Sequence, residues 1–256
     1  MAIFLFMGTA QSGQIPIANN SFEIPFIDPN DFPAIPVAPL WTEMDVDTEY
    51  STNTGIFRNS PPDSPYDHIV NADANQLAFL GSGSGNGFLQ DPNATYQTGK
   101  SYKLSVEVCP SVRYHPSVPD PNNKLTLSLY YLNGANAVDI QTSPVPSTEL
   151  TVNVLKTFSV TMPDVQAGDP WAGKNIGIAI LAEGLPGGYW DLDNVRLMEF
   201  QTIPEFTDDS FVNLQDFAVM ASEWLSCTEV TADLTGDGCV DVEDLLILAK
   251  YWLDHV

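Results

Sequence analysis

The sequence predicts a mostly β protein, an antiparallel β-sandwich followed by a small all-α module at the C-terminus. Three observations carry this. Tyr102, Leu104, Val106 and Val108 alternate with polar residues, and so do Leu125, Leu127, Leu129 and Tyr131; period-two alternation marks strands with one buried face. Between residues 14 and 200 there is no long amphipathic helix pattern, and turn residues separate the apolar runs. Near the end, acidic residues at fixed spacing lead into the apolar run Leu245–Leu253, which reads as a metal loop entering a helix.

The chain has 256 residues, enough for one sizeable core and a small appendage. Its 33 acidic against 9 basic residues leave a net charge of −24, which argues against nucleic acid or anionic membranes as partners. Calcium and a secreted, extracellular or cell-surface location suit that balance. Residues 1–13 are the exception to a polar, loop-rich composition. Ala2–Ser12 is apolar and ends in small residues, so it reads as a secretory signal or as an N-terminal strand able to join a neighbour's sheet. No other stretch is long and apolar enough to span a bilayer.

The main domain is expected over residues 14–200. Its strands are expected at Ile15–Glu23, Leu40–Met44, Gly55–Arg58, Gln76–Gly81, Gly87–Gln90, Ser101–Cys109, Lys124–Leu132, Ala137–Gln141, Lys156–Met162, Ile176–Ala182 and Tyr189–Phe200. Proline-rich stretches such as 60–65 and 110–121 are surface connections. A linker is expected at 201–204 and the helical module at 205–256.

In that module Asp233, Thr235, Asp237, Asp241 and Asp244 place oxygens at loop positions 1, 3, 5, 9 and 12. Gly238 allows the sharp turn, and Cys239 offers its carbonyl. Calcium takes six to eight oxygens, which is the physical reason for this spacing. Val212–Leu225 aligns with Val240–Leu253, twenty-eight residues apart. By that alignment an earlier loop offers Glu205, Thr207, Asp209, Asn213 and Asp216, with Ser210 where glycine is expected. Cys227 and Cys239 would staple the two repeats as a disulfide in an oxidising compartment, or stand as two buried thiols. Cys109 falls on a strand and reads as core.

Tandem calcium loop-helix units, each ending in Trp-Leu, resemble a type I dockerin over residues 205–256. That resemblance implies docking to a cohesin-like or self partner, although Leu214-Gln215 and Val242-Glu243 depart from the family's Ser-Thr recognition pairs. The main domain offers Asn19-Asn20-Ser21-Phe22-Glu23, Asn75–Leu80, Gly99–Leu104 and Tyr189–Leu197. It resembles the galactose-binding-like jelly rolls of bacterial secreted proteins, many of them carbohydrate-binding modules. The resemblance implies that first and last strands pair, and that Glu23 and Asp193 hold a structural calcium. Without it, Glu23 reads as a surface residue and Asp193 as a turn cap.

No nucleophile elbow, phosphate loop or metalloprotease helix is present. Certain calcium-dependent cyclases share the jelly-roll form, but the residues themselves point to a non-catalytic protein. The first expectation is a glycan-binding and adhesion module, with Trp41 and Trp171 as sugar-stacking residues and polysaccharide as partner. The alternative is a structural subunit of an extracellular fibril or surface layer, a homopolymer built by strand addition and calcium.

Overall fold

The computed structural model describes residues 10–31, 33–44, 53–64, 68–110, 123–184, 188–207, 209–227, 230–234 and 239–253. Among the described residues twelve strands and two α-helices follow one another: β1 Ala10–Ile15, β2 Ala34–Ile35, β3 Thr42–Met44, β4 Thr54–Arg58, β5 Gln76–Gly81, β6 Gly87–Gln90, β7 Ser101–Pro110, β8 Lys124–Asn133, β9 Asn136–Pro146, β10 Lys156–Met162, β11 Gly177–Glu183, β12 Tyr189–Thr202, α1 Leu214–Ser222 and α2 Val242–Lys250. One sheet runs β10-β7-β12-β5-β4-β2, with β1 also on β12; the other runs β3-β6-β11-β8-β9. Every named pairing is antiparallel, and the two sheets form a jelly-roll sandwich.

Alternation decides what lies between the sheets. Leu104, Val106 and Val108 on β7, Leu125, Leu127 and Leu129 on β8, and Trp190 and Leu192 on β12 all enter the inner core. The first strand differs from expectation: β1 ends at Ile15, and residues 16–23 are irregular, with a turn at 18–21. Pro16 cannot donate to a ladder. Asn19 (φ 49°) and Phe22 (φ 56°) are left-handed, which breaks an extended run. β1 nonetheless pairs with the end of β12, Ala10 opposite Thr202 and Ile15 opposite Leu197. Residues 1–9 of the apolar N-terminal segment lie outside the described residues.

β12 is the organising strand. Its first half pairs with β5, its second with β1, and β7 lies along its other edge. The register with β7 shifts between Asp193 and Arg196, where Asn194 is left-handed (φ 51°), a β-bulge. No exposed linker follows. Gln201 and Thr202 are still strand, and Ile203 and Pro204 are buried. Ile203 and Phe206 already belong to a second core with Val212, Met220, Leu234, Val240 and Leu248.

That second core has internal symmetry. Asn213 caps α1 and Asp241 caps α2, each in a capping box closed by Asp216 or Asp244. The two repeats exchange backbone bonds: Leu225 N–H donates to Val240 O at 2.8 Å, and Leu253 N–H to Val212 O at 2.7 Å. Among the described residues no helix is long and apolar enough to cross a membrane.

Candidate active site and cation sites

Because Trp190 and Leu192 point inward, Asp191 and Asp193 point to the outer face of the larger sheet. Across that face Asp191 stands between Cys109 on β7 and Phe79 on β5. Asp191 is only 2 % exposed. A separate apolar cluster explains this: Phe57, Ile69, Leu77, Cys109 and Leu155, joined by Ala34, Ala72 and Phe79. Two straps carry Ile69, Ala72 and Leu155 over the sheet. They are tied by Val70 N–H to Asn153 O (3.0 Å) and Leu155 N–H to Val70 O (3.3 Å). Phe79 meets Tyr189 edge-on at 5.8 Å and Phe57 at 6.5 Å. The result is a carboxyl group in an aromatic, water-poor setting, where acid–base chemistry on an apolar substrate is possible. Burial, then the charges of Asp191 and Asp193, push the Cys109 thiol up, so it stays a thiol and not a nucleophile.

Asp191 was not among the residues the sequence singled out. The signal was there in Trp190-Asp191-Leu192-Asp193: two acids at alternate positions of a strand share a face. Asp193 is fully buried, and burial foremost, with the charges of Asp73 and Glu107 adding, pushes its carboxyl up to about 8. Its Oδ2 accepts the Asp73 N–H at 2.6 Å and its Oδ1 the Asn194 N–H at 2.7 Å. Glu23 reaches the same turn, accepting the Asn75 and Gln76 N–H groups at 2.8 and 2.6 Å. Both acids therefore accept backbone N–H groups of residues 73–76. The donor set is all oxygen, and the two buried or half-buried carboxylates fit a hard cation.

Glu205, Asp209 and Asp216 bring carboxylate oxygens within 4.8 Å of one another, a possible metal site in the C-terminal module. Thr207 Oγ1 lies 3.3 Å from both Glu205 Oε1 and Asp216 Oδ1. Asp216 also accepts the Phe206 and Asn213 N–H groups. Asn213 turns its Nδ2 to Asp209 and its Oδ1 to the Gln215 N–H, so it orients the cluster and caps the helix. The second loop repeats this frame: Asp244 accepts Leu234 and Asp241 N–H groups at 2.8 Å each. Asp233, Cys239 and Asp241 are half-buried around it. Thr235, Asp237 and Gly238 lie outside the described residues. Cys227 and Cys239 form a disulfide.

The aromatic residues read as sugar-stacking go elsewhere. Trp41 is core: it stacks on Phe22 at 5.6 Å, meets Phe88 at 6.2 Å, and donates Nε1 to Asn19 O at 3.2 Å. No ring face is left for a sugar. Trp171 packs half-buried against Tyr131, at 6.5 Å, and against the inner core.

Residues 13–198 match the family described as HpiC1-like, HpiC1 cyclase. No curated protein matches the chain. Among solved structures, a cyclase from Fischerella sp. TAU shares 20 % identity, with a TM-score of 0.58 over 74 % of this chain and 98 % of its own. The Stig cyclase Fisc from the same organism, in complex with (3Z)-3-(1-methyl-2-pyrrolidinylidene)-3H-indole, aligns with a TM-score of 0.56, 20 % identity and the same coverages. A Fischerella cyclase in complex with 4-(1H-indol-3-yl)butan-2-one aligns with a TM-score of 0.57 and 20 % identity over 73 % of this chain and 97 % of its own. At that identity these likenesses establish the fold.

The family match corrects the functional expectation. A non-catalytic adhesion module, a structural subunit of a fibril, and partners of cohesin-like, polysaccharide or self type all give way to a cyclase assignment. The resemblance to a dockerin gains no support from these comparisons, since the family match ends before the C-terminal module. The reason is physical: a jelly roll is a scaffold for many sites, so the fold read from the sequence does not by itself choose between binding and catalysis. Over residues 13–198, the chain belongs to the HpiC1-like cyclase family.

Proposed function

We propose that the jelly roll closes a ring in an aromatic small molecule, an indole bearing an unsaturated side chain, with Asp191 as the proton-transferring group. The observation that carries this reading is the cyclase family match over residues 13–198. The outer-face site supports it: one buried acid flanked by Phe79, Tyr189 and Cys109. The substrate class follows the indoles bound to the Fischerella proteins. Asp191 gives its proton to an unsaturated carbon, the cation so formed is attacked within the molecule, and the carboxylate takes back a proton from the closed ring. Substrate and product are isomers. The aromatic wall stabilises the transient cation, and exclusion of water prevents its capture.

Calcium at Glu23 and Asp193, and in the loops around Glu205–Asp216 and Asp233–Asp244, would supply structural charge neutralisation. The disulfide supports an oxidising, extracytoplasmic location. The test is to incubate the calcium-loaded chain with such an indole and look by chromatography and mass spectrometry for a product of unchanged mass. Formation of a cyclic isomer that Asp191→Asn no longer makes supports the proposal. Absence of both turnover and indole binding counts against it.

A further inference from the structure

Glu107 on β7 and Asp193 on β12 are register partners on adjacent strands, so their side chains leave the sheet on the same face. Asp193 has each oxygen on a backbone N–H, from Asp73 and from Asn194. Glu107 is half satisfied: its Oε1 accepts Asn194 Nδ2 at 3.2 Å, while its Oε2 is buried and meets no hydrogen-bond donor. Among the described residues no lysine or arginine pairs with either acid. Arg196 instead donates Nε to Asn194 Oδ1 at 2.9 Å. Asn194, left-handed at the bulge, is thus held between Arg196 and Glu107, and it fixes which Glu107 oxygen stays open.

Two carboxylates side by side repel, and a buried carboxylate oxygen without a partner is costly. One divalent cation between the strands would resolve both. We propose that Glu107 is a ligand of the jelly-roll cation, binding through Oε2 opposite Asp193, and that Asn194 is the positioning residue that aims it. The donors are oxygens throughout, which favours calcium. The proposal rests on the reading that Asp193 holds a cation, and it is independent of the cyclase reaction.

The test is calorimetric titration of the metal-freed full chain with calcium, comparing wild type, Glu107→Gln and Asp193→Asn. Gln keeps the shape of Glu107 and an oxygen for Asn194 Nδ2. Calcium held by the C-terminal loops contributes equally to all three proteins. The expected result is that Glu107→Gln loses one calcium from the stoichiometry, or weakens one site more than tenfold, and that Asp193→Asn affects the same site. If Asp193→Asn removes a site that Glu107→Gln leaves intact, Glu107 is not a ligand. If neither variant changes the titration, the reading of Asp193 fails and takes this proposal with it. Should Glu107→Gln not fold, a lanthanide-soaked crystal of the wild type decides. An anomalous peak at about 2.3–2.6 Å from Glu107 Oε2, the range for calcium–oxygen bonds, supports the assignment; a peak elsewhere on the jelly roll, or none there, overturns it.

Discussion

Asp191 and Asp193 share a sheet face two positions apart, yet their immediate partners differ. Asp191 lies against aromatic rings and a thiol, whereas Asp193 is gripped by backbone N–H groups beside another carboxylate. Replacing Asp191 with Asn should lower turnover by about 10²–10⁴-fold, the usual span for a lost general acid or base. Circular dichroism and substrate binding should stay near wild type. Asp193 makes a pH prediction for the metal-free protein. Its folded carboxyl is raised to about 8 from 3.8, so the folded state holds a proton that the unfolded state releases. The resulting stability is full below about pH 4 and is lost as pH rises toward about 8. Melting temperatures in chelator should therefore fall across that window, and the fall should shrink in Asp193→Asn. Of the two acids, Asp193 was singled out in the sequence, through a family resemblance that rests on a strand motif. Asp191 was not, since its burial depends on straps around Ile69 and Leu155.

At the level of elements, alternation located the middle strands well, because β7 and β8 each bury one face in a continuous core. It failed where chain geometry overrides hydrophobicity. The stretch 16–23 contains apolar residues yet turns at Asn19 and Phe22, and β2 is only two residues long, below any periodic signal. The helical repeats were legible because spacing and capping agree. Their strength is testable. Asp216→Ala would leave the Phe206 and Asn213 N–H groups without their acceptor, one of them buried. The expected cost is about 1–3 kcal/mol for an abandoned buried donor, read as a lower denaturation midpoint of the C-terminal module. Asn213→Ala, which removes the cap together with the Nδ2 contact to Asp209, should cost about 1 kcal/mol for the cap alone.

On the scale of the molecule, two cores are joined without a free hinge, since β12 ends where the second core begins. Calcium ligands are proposed at both ends of this strand. Chelation should therefore lower the melting temperature of both parts in differential scanning calorimetry. For each site filled at about 100-fold over its Kd, the expected loss is about 2.7 kcal/mol. An unchanged thermogram would refute the metal assignments. The architecture was legible in the sequence; the activity was not, because the same sandwich serves binding and catalysis alike.

The unbroken passage from β12 into the C-terminal module has a mechanical consequence. Tension applied to the C-terminus enters the sheet along the axis of a strand flanked by β7, β5 and β1. Such a load shears many hydrogen bonds together instead of peeling them apart one by one. The jelly roll is thus built to resist extension from that end, and the sheet face that carries Asp191 stays assembled while the module is pulled.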